Sequence, residues 1–120
     1  MKVGFIGLGN VGGKLAGSLL RKKFDLTVRD LDQNLTKEFT NLGAKIASSP
    51  KELAEKVDLI ITCLPSPKIC AEVMEGKDGI LNGLSENKIW LEMSTTDEAE
   101  VKRIGEKVIA RKAIPMDGPV

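Results

Sequence analysis

Four residues in the first quarter of the chain have the types and the spacing that hold a phosphate. Gly7, Gly9 and Gly12 follow the apolar run of residues 3–6 and precede apolar residues at helical spacing. Gly7 permits a tight turn, Gly9 lets backbone approach a pyrophosphate, and Gly12 lets the helix lie close on the strand. Asp30 ends a second strand-like run, where an acidic side chain would meet an adenine ribose. The pattern predicts a bound dinucleotide.

Strands and helices must alternate along the chain to position these residues, and the hydrophobic pattern indicates that they do. The predicted strands are residues 3–6, 24–29, 44–47, 59–63, 89–93 and 113–116. Such alternation implies a parallel sheet with helices on both faces and right-handed crossovers. The predicted fold class is therefore α/β, a doubly wound parallel sheet (Rossmann fold) in a single domain, with strand order 3-2-1-4-5-6.

Capping residues mark the ends of the predicted helices. Asp32 precedes a helix that carries Leu35, Phe39 and Leu42 on one face, and Gly43 is expected to end it. Serine followed by proline marks two further helix starts, the first of which is completed as a capping box by a glutamate. These start signals are Ser49, Pro50 and Glu52, then Ser66 and Pro67.

The composition excludes several kinds of partner. Among 120 residues, 18 basic side chains face 17 acidic ones, which leaves no electrostatic footprint for nucleic acid or an anionic membrane. No apolar stretch approaches the roughly 20 residues of a membrane span, and the first strand starts right after Met1, with no room for a signal peptide. We expect a cytoplasmic protein that binds small molecules. Cys63 and Cys70 have neither metal-ligand spacing nor a His partner, so we expect free thiols and no metal site.

Four separated motifs carry a resemblance to a known family. They are residues 3–12, residues 61–65 (Ile-Thr-Cys-Leu-Pro), residues 92–95 (Glu-Met-Ser-Thr) and residues 117–120 (Asp-Gly-Pro-Val). Together they resemble the nicotinamide-binding domain of the β-hydroxyacid dehydrogenases, the group of 3-hydroxyisobutyrate dehydrogenase, tartronate semialdehyde reductase and the 6-phosphogluconate dehydrogenase relatives. The resemblance implies an NAD or NADP cofactor and a small β-hydroxy acid as substrate.

The resemblance also implies which residues lie against each ligand. The residues expected to bind cofactor are Gly7, Leu8, Gly9, Asn10, Val11, Gly12, Arg29, Asp30, Leu31, Cys63, Leu64, Pro65 and Thr95. The residues expected on the substrate side are Ser94, Asp117, Pro119 and Val120. We expect no catalytic residue within the chain, because it has no His or Tyr and none of its lysines lies in a motif similar to the catalytic one of the family.

The chain stops at Val120, where the family pattern continues as Ser-Gly-Gly. It also stops before the position of the family's catalytic lysine and of its all-helical second domain. We therefore interpret residues 1–120 as a truncated dinucleotide-binding domain that lacks the C-terminal helical domain. We expect it to bind cofactor, to be inactive alone and to belong to a homo-oligomer.

The choice between NAD and NADP rests on three neighbouring residues. Asp30 repels a 2′-phosphate and can accept hydrogen bonds from a free 2′-hydroxyl, which favours NAD. NADP-preferring relatives often have arginine where this chain has Leu31. Arg29 leaves NADP possible, since a long guanidinium side chain could swing towards a phosphate.

Several of these residues also have purely structural interpretations. Thr95, with a glutamate three positions later, fits the capping box of the following helix. Leu64 and Pro65 would also serve as a strand terminator. Cys63 is more typical of a small core residue than of a reactive thiol, because nothing basic nearby in sequence would lower its pKa. Asp117 either orients the substrate loop or is an ordinary turn residue.

Three functions are consistent with the sequence. The leading hypothesis is the cofactor-binding part of an oxidoreductase that transfers hydride between a nicotinamide cofactor and a small β-hydroxy acid such as 3-hydroxyisobutyrate. An imine reductase, whose cofactor domain is similar, is the alternative among enzymes. A dinucleotide-binding module without catalytic activity, used to recruit partners, is the alternative of a different class.

Overall fold

In the computed structural model, which describes residues 1–94 and 97–117, six parallel strands form one sheet. The strands are β1 (Lys2–Ile6), β2 (Asp25–Arg29), β3 (Lys45–Ile46), β4 (Leu59–Thr62), β5 (Ile89–Glu92) and β6 (Ile114–Asp117). Their order is β3-β2-β1-β4-β5-β6, and every neighbouring pair is parallel. The predicted doubly wound α/β fold is confirmed, with its switch point between β1 and β4.

Helices cover both faces of this sheet. Within the described residues they are α1 (Asn10–Arg21), α2 (Gln33–Asn41), α3 (Pro50–Lys56), α4 (Pro67–Glu75) and α5 (Glu98–Ala110), with a 3₁₀ helix at Ile80–Asn82. One core cluster joins α1 and α2 to Phe5 and Val28, and the other joins α3, α4 and α5 to Ile60 and Trp90. No helix in these parts of the chain is long and apolar enough to cross a membrane.

The predicted start signals begin the helices as expected. Asp32, Ser49 and Ser66 each accept a hydrogen bond from a backbone N–H two or three residues later, at 2.9, 3.0 and 3.2 Å. Pro50 and Pro67 occupy the first position of their helices, where the missing N–H costs nothing. These caps fix where α2, α3 and α4 leave the sheet.

Two predicted details of α2 and β3 are wrong. Leu42 does not share the buried face with Phe39, because α2 ends at Asn41 and the Leu42 side chain is 69% exposed. Gly43 does end the turn, with a φ of +106° that favours glycine. The third strand spans only two residues, not 44–47, since it pairs on one side with two residues of β2.

The predicted cap of the last helix is also wrong. Asp97, not Thr95, is the N-cap of α5, and its Oδ1 accepts hydrogen bonds from the backbone N–H groups of Ala99 at 2.8 Å and Glu100 at 3.4 Å. An aspartate at this position competes well with threonine because its carboxylate reaches two unpaired amides of the first turn. Thr95 itself lies outside the described residues.

Candidate functional site

A large cleft lies at the carboxyl ends of the strands, across the switch point. Its volume of about 990 Å³ is at the upper end of the range, about 300–1,000 Å³, that small-molecule sites occupy. It runs from the end of β2, over the loop between β1 and α1, to the ends of β4 and β5. The predicted site residues that line it are Gly7, Gly9, Asn10, Val11, Gly12, Arg29, Asp30, Leu31, Cys63, Leu64, Pro65 and Ser94.

Two glycines bring the loop, the strand and α1 close together. Gly7 has a φ of +102°, and a Cβ there would lie 2.1 Å from the carbonyl oxygen of Cys63. A Cβ on Gly12 would lie 1.9 Å from the carbonyl oxygen of Gly7. Both contacts are far shorter than a carbon atom tolerates, so glycine is required at both positions. As predicted, Gly7 makes the turn and Gly12 seats the helix.

Gly9 differs from these two, because the space beside it is empty. No heavy atom lies within 4 Å of the position that a Cβ would take, and its φ of −66° is available to any residue. Gly9 is the N-cap of α1, with no side chain to bond the N–H groups of the first turn, and that turn contains no acidic residue. The positive end of the helix dipole therefore faces open space, an arrangement that attracts phosphate.

The carboxylate of Asp30 is fixed by backbone at the end of β2. Its Oδ2 accepts a hydrogen bond from the N–H of Leu8 at 2.7 Å, and its Oδ1 accepts one from the N–H of Asp32 at 2.8 Å. The Leu8 side chain is 2% exposed and packs in the core, so this residue can contribute to the cleft only through its backbone. Asp30 thus sets the position of the glycine loop and presents a negative charge to the cleft.

Arg29 is held by its neighbours. Its Nη1 donates to the carbonyl oxygens of Ala47 at 3.3 Å and Ser48 at 2.8 Å, in the connection between β3 and α3. The guanidinium therefore ties the end of β2 to that connection, which opposes the swing that an NADP site would need. Leu31, by contrast, is 89% exposed at the rim of the cleft. It offers an apolar surface and no charge.

The residues after β4 form the opposite wall. Cys63, Leu64 and Pro65 line the cleft where the strand ends. Burial raises the pKa of the Cys63 thiol above its usual range, and the negative charge of Glu92 raises it further. A neutral thiol is a poor nucleophile, so Cys63 acts as a small packing residue, as the sequence indicated.

A buried polar network that the sequence analysis missed joins the ends of β4 and β5. Glu92 is fully buried, and its carboxylate accepts hydrogen bonds from Thr62 Oγ1 at 2.8 Å, Cys70 Sγ at 3.0 Å and the N–H of Ser94 at 2.5 Å. Trp90 Nε1 donates to Thr62 Oγ1 at 3.0 Å. The sequence did carry a signal for this network, because Glu92 and Thr62 each lie in an apolar run. Polar groups buried in such runs need hydrogen-bond partners.

The network reaches the cleft through Ser94. The Ser94 Oγ accepts a hydrogen bond from the N–H of Leu64 at 2.5 Å, and the residue lines the cleft although it is only 4% exposed. Its hydroxyl proton is not used in this contact. Burial raises the pKa of the Cys70 thiol, and the hydrogen bond to Glu92 raises it further. The thiol therefore stays protonated and donates its hydrogen to the carboxylate.

The structure also adds lining residues that no motif singled out. They come from α4 and from the segment between α4 and the 3₁₀ helix, and they include Glu72, Val73, Lys77, Asp78 and Gly79. The only signal for them in the sequence was the pair of glycines at positions 76 and 79. With Asp30 and Asp32, the acidic residues of the cleft outnumber its basic ones, Arg29 and Lys77.

Not every predicted site residue joins this cleft. Asp117 ends β6 and lines a smaller cavity of about 390 Å³ beside α5, together with Trp90 and Met116. A position there, at the sheet edge, does not bring its carboxylate to the cleft. Thr95, Pro119 and Val120 lie outside the described residues.

The arrangement can bind and orient an anionic ligand. The chain contains no His and no Tyr, and among residues 1–94 and 97–117 no group of His, Cys, Asp or Glu could hold a metal ion. A dinucleotide fits the residues present, because Gly9 leaves room for a pyrophosphate at the start of α1 and Asp30 stands where a ribose hydroxyl would bind.

Comparison with known families gives a match along nearly the entire chain. Residues 2–120 match the family described as the NAD binding domain of 6-phosphogluconate dehydrogenase. The mitochondrial 3-hydroxyisobutyrate dehydrogenase of Mus musculus is 41% identical over 118 residues, which are 98% of this chain and 35% of that protein. The chain therefore spans about a third of the length of the curated relatives that it matches.

Solved structures share the same fold. The 3-hydroxyisobutyrate dehydrogenase of Mycobacterium tuberculosis with L-serine has a TM-score of 0.90 at 18% identity, over 99% of this chain and 40% of that one. The imine reductase of Myxococcus stipitatus in complex with NADP+ also has a TM-score of 0.90, at 16% identity, over 100% of this chain and 41% of that one. At these identities the likeness concerns the fold alone.

Proposed function

Since this chain belongs to the family of the NAD binding domain of 6-phosphogluconate dehydrogenase, we propose that it holds the cofactor of a β-hydroxyacid dehydrogenase. The observation that carries this proposal is the empty space beside Gly9, at the start of α1. The first turn of that helix has no acidic residue, and Gly9 lines a cleft that crosses the switch point. A pyrophosphate is the ligand that such a place suits best, because backbone N–H groups and the helix dipole both favour it.

Each part of the cleft would hold one part of the dinucleotide. The loop from Gly7 to Gly12 would bind the pyrophosphate, and Asp30 would accept hydrogen bonds from the adenine ribose. Leu31 offers an apolar surface beside that ribose. The ends of β4 and β5, with Leu64, Pro65 and Ser94, lie on the other side of the switch point and would face the nicotinamide half. Thr95 stays a proposed contact on that side.

We propose NAD rather than NADP as the preferred cofactor. The acidic residues of the cleft disfavour the two extra negative charges of a 2′-phosphate, and Asp30 stands at the position where that phosphate would bind. Arg29 Nη1 already donates to the carbonyl oxygens of Ala47 and Ser48, so the guanidinium is tethered to the connection between β3 and α3. The position after Asp30 is apolar Leu31.

Bound nicotinamide supplies the hydride chemistry, while the residues of this chain bind and orient it. The hydroxyl proton of a substrate needs an acid or base within hydrogen-bond reach, and the chain has no His or Tyr for that role. We therefore propose that the catalytic base belongs to a part of the whole protein outside residues 1–120. The substrate contacts of Ser94, Asp117, Pro119 and Val120 also stay proposals.

A small β-hydroxy acid such as 3-hydroxyisobutyrate is the proposed substrate of the whole protein. The support is the 41% identity with the mouse 3-hydroxyisobutyrate dehydrogenase, whereas the likeness to the imine reductase concerns the fold alone. Turnover of 3-hydroxyisobutyrate and of cyclic imines by the whole protein would separate the two. For this chain alone we expect no turnover of either, because proton transfer assistance alone contributes about 10²–10⁴-fold.

A titration followed by nuclear magnetic resonance tests the cofactor site directly. NADH added to the ¹⁵N-labelled chain should shift the amide signals of residues 7–12, 30–32 and 63–65, and leave those of β6 and the second half of α5 in place. Shifts confined to the cavity at Trp90 and Met116, or no saturable shifts, would contradict the proposal. The same titration with NADPH measures the preference between cofactors.

A reducing compartment such as the cytoplasm is our proposed location, supported by the two free cysteines, Cys63 and Cys70. The curated mouse relative is named as mitochondrial, so fractionation of cells should compare these two compartments. A homo-oligomer of the whole protein, without nucleic acid or membrane partners, is likewise a proposal. Sedimentation of the whole protein measures its oligomeric state.

A further inference from the structure

Glu92 is the one fully buried carboxylate in the described part of the chain, and the cofactor contacts proposed above do not use it. Burying a carboxylate is costly unless hydrogen bonds replace the lost water. Here three donors replace the lost water, from Thr62, Cys70 and the backbone of Ser94. Among the described residues, no lysine or arginine forms an ion pair with Glu92. A buried acid held by donors from three elements indicates a role in fixing those elements relative to one another.

The three donors come from three elements that meet beside the cleft. Thr62 is the last residue of β4, Cys70 lies in the first half of α4, and Ser94 follows β5. The carboxylate thus joins two neighbouring strand ends and the helix that follows the first of them. Trp90 extends the network through Thr62, whose Oγ1 accepts a hydrogen bond from the indole N–H and donates one to Glu92.

The path from Glu92 to the cleft is short. Glu92 Oε1 accepts the Ser94 N–H at 2.5 Å, and Ser94 Oγ accepts the Leu64 N–H at 2.5 Å. One lone pair of the hydroxyl is therefore occupied by backbone, and among the described residues no acceptor takes its proton, which can be donated to a ligand. Ser94 and Leu64 both line the cleft at the ends of β5 and β4.

The strand order decides which half of a dinucleotide this corner faces. Asp30 marks the ribose of adenosine at the end of β2, and the pyrophosphate crosses at the start of α1. The ends of β4 and β5 lie on the opposite side of β1 from β2. The nicotinamide half would therefore lie against Leu64, Pro65 and Ser94, and the adenosine half would lie far from Glu92.

We propose that Glu92 is a positioning residue for the nicotinamide half of the cofactor, acting through the backbone and hydroxyl of Ser94 and the backbone of Leu64. This inference rests on the proposed function, because it presupposes a dinucleotide in the cleft. Glu92 holds the two strand ends at a fixed separation and directs the Ser94 hydroxyl proton towards the ligand. Its effect should be specific to ligands that carry nicotinamide.

Two variants and one control test this role. Glu92→Gln keeps an oxygen for the Ser94 N–H but turns an amide NH₂ towards Thr62 and Cys70, which loses acceptor capacity there. Ser94→Ala removes only the hydroxyl that receives the Leu64 N–H. Thr36→Val is the matched control, because it also removes a hydroxyl that is 4% exposed and hydrogen-bonded, but in α2, away from the network.

The measurement is calorimetric binding of NADH and of ADP-ribose, which has the adenosine and pyrophosphate but no nicotinamide. We expect Glu92→Gln and Ser94→Ala each to weaken NADH by about 10-fold, the scale of one lost hydrogen bond, and to change ADP-ribose by less than about 2-fold. Thr36→Val should leave both affinities within about 2-fold. Trp90, the single tryptophan of the chain, gives a near-ultraviolet circular dichroism signal that should change in Glu92→Gln and not in Thr36→Val.

The two proposals fail in different ways. If wild type binds neither NADH nor ADP-ribose, the proposed function is wrong and this inference falls with it. If wild type binds both, and the two variants weaken both ligands equally or neither of them, the cofactor site stands and the role of Glu92 is overturned. Should Glu92→Gln not fold, Thr62→Val takes its place, because it removes one donor to the carboxylate and leaves the Ser94 hydroxyl intact; an unchanged NADH affinity in Thr62→Val would then overturn the role of Glu92.

Discussion

The carboxylate of Asp30 accepts a hydrogen bond from the backbone N–H of Leu8 at 2.7 Å, across 22 residues of sequence. This contact joins the glycine loop to the acidic residue of the motif, because Asp30, directly after β2, holds the loop that follows β1. Asp30 therefore has two roles, one in shaping the glycine loop and one in presenting charge to the cleft. A substitution of Asp30 would disturb both at once, so cofactor preference is better tested at its neighbour.

Leu31→Arg should raise affinity for NADPH by about 10-fold or more and change affinity for NADH by less than about 3-fold. Residue 31 is 89% exposed at the cleft, so an arginine there can bond a 2′-phosphate, a contact between charged groups of about 1.5–3 kcal/mol. Leu42→Arg, on an exposed leucine outside the cleft, adds the same charge as a control. Fluorescence titration with both cofactors measures the effect. Wild type that binds NADPH as tightly as NADH would refute the role of Asp30.

Gly12→Ala should lower the free energy of unfolding by at least about 2 kcal/mol, because the new Cβ would lie 1.9 Å from the carbonyl oxygen of Gly7. Gly9→Ala should cost no more than about 1 kcal/mol, since no atom lies within 4 Å of its Cβ position and only the helix cap is weakened. Urea unfolding of both variants gives the two values. Equal losses would mean that Gly12 does not seat α1 on the sheet.

Glu75→Gln should destabilise the protein at pH 7 by about 1 kcal/mol, as expected for a partly solvated ion-pair cluster. Hydrogen bonds from Arg103 and Lys107 hold the pKa of Glu75 at about 2. Because the folded pKa is depressed, this stabilisation is present above about pH 4.5 and is lost as the pH falls towards 2. Urea unfolding at pH 7 and pH 2 should show the difference between the proteins shrinking. Glu38→Gln, on an exposed glutamate of α2, is the control.

The isolated chain should self-associate through the free side of β6. Among the described residues no strand pairs with that side, and Ile114 and Met116 are 48% and 53% exposed there. An unpaired apolar edge is a template for pairing with another chain. Light scattering should show a mass above that of a monomer at high concentration, and Met116→Lys should reduce it. A strict monomer at all concentrations would count against this.

Most of the fold was predictable because it follows from local patterns. Continuous apolar runs gave the strands, and Asp32, Ser49 and Ser66 marked helix starts through hydrogen bonds that span two or three residues. The glycine loop was predictable for the same reason. The strand order followed from the general rule for alternating strands and helices.

The parts that escaped prediction depend on contacts between residues far apart in sequence. Glu92 and Thr62 are 30 residues apart, and nothing in either run shows that their side chains meet. Arg29 could be read as a free cation until the structure placed it against Ala47 and Ser48. The cap of α5 was misassigned for a local reason, because Thr95 and Asp97 are both good capping residues and propensity alone does not choose between them.

The central claim is that a dinucleotide lies across the glycine loop, and calorimetric titration of NADH into wild type and Gly9→Val tests it most directly. The valine would occupy the space that no protein atom fills, while circular dichroism should show that the domain still folds. We predict saturable binding to wild type at one site and none to Gly9→Val. Absence of binding to wild type, or unchanged affinity in a folded Gly9→Val, would contradict the claim.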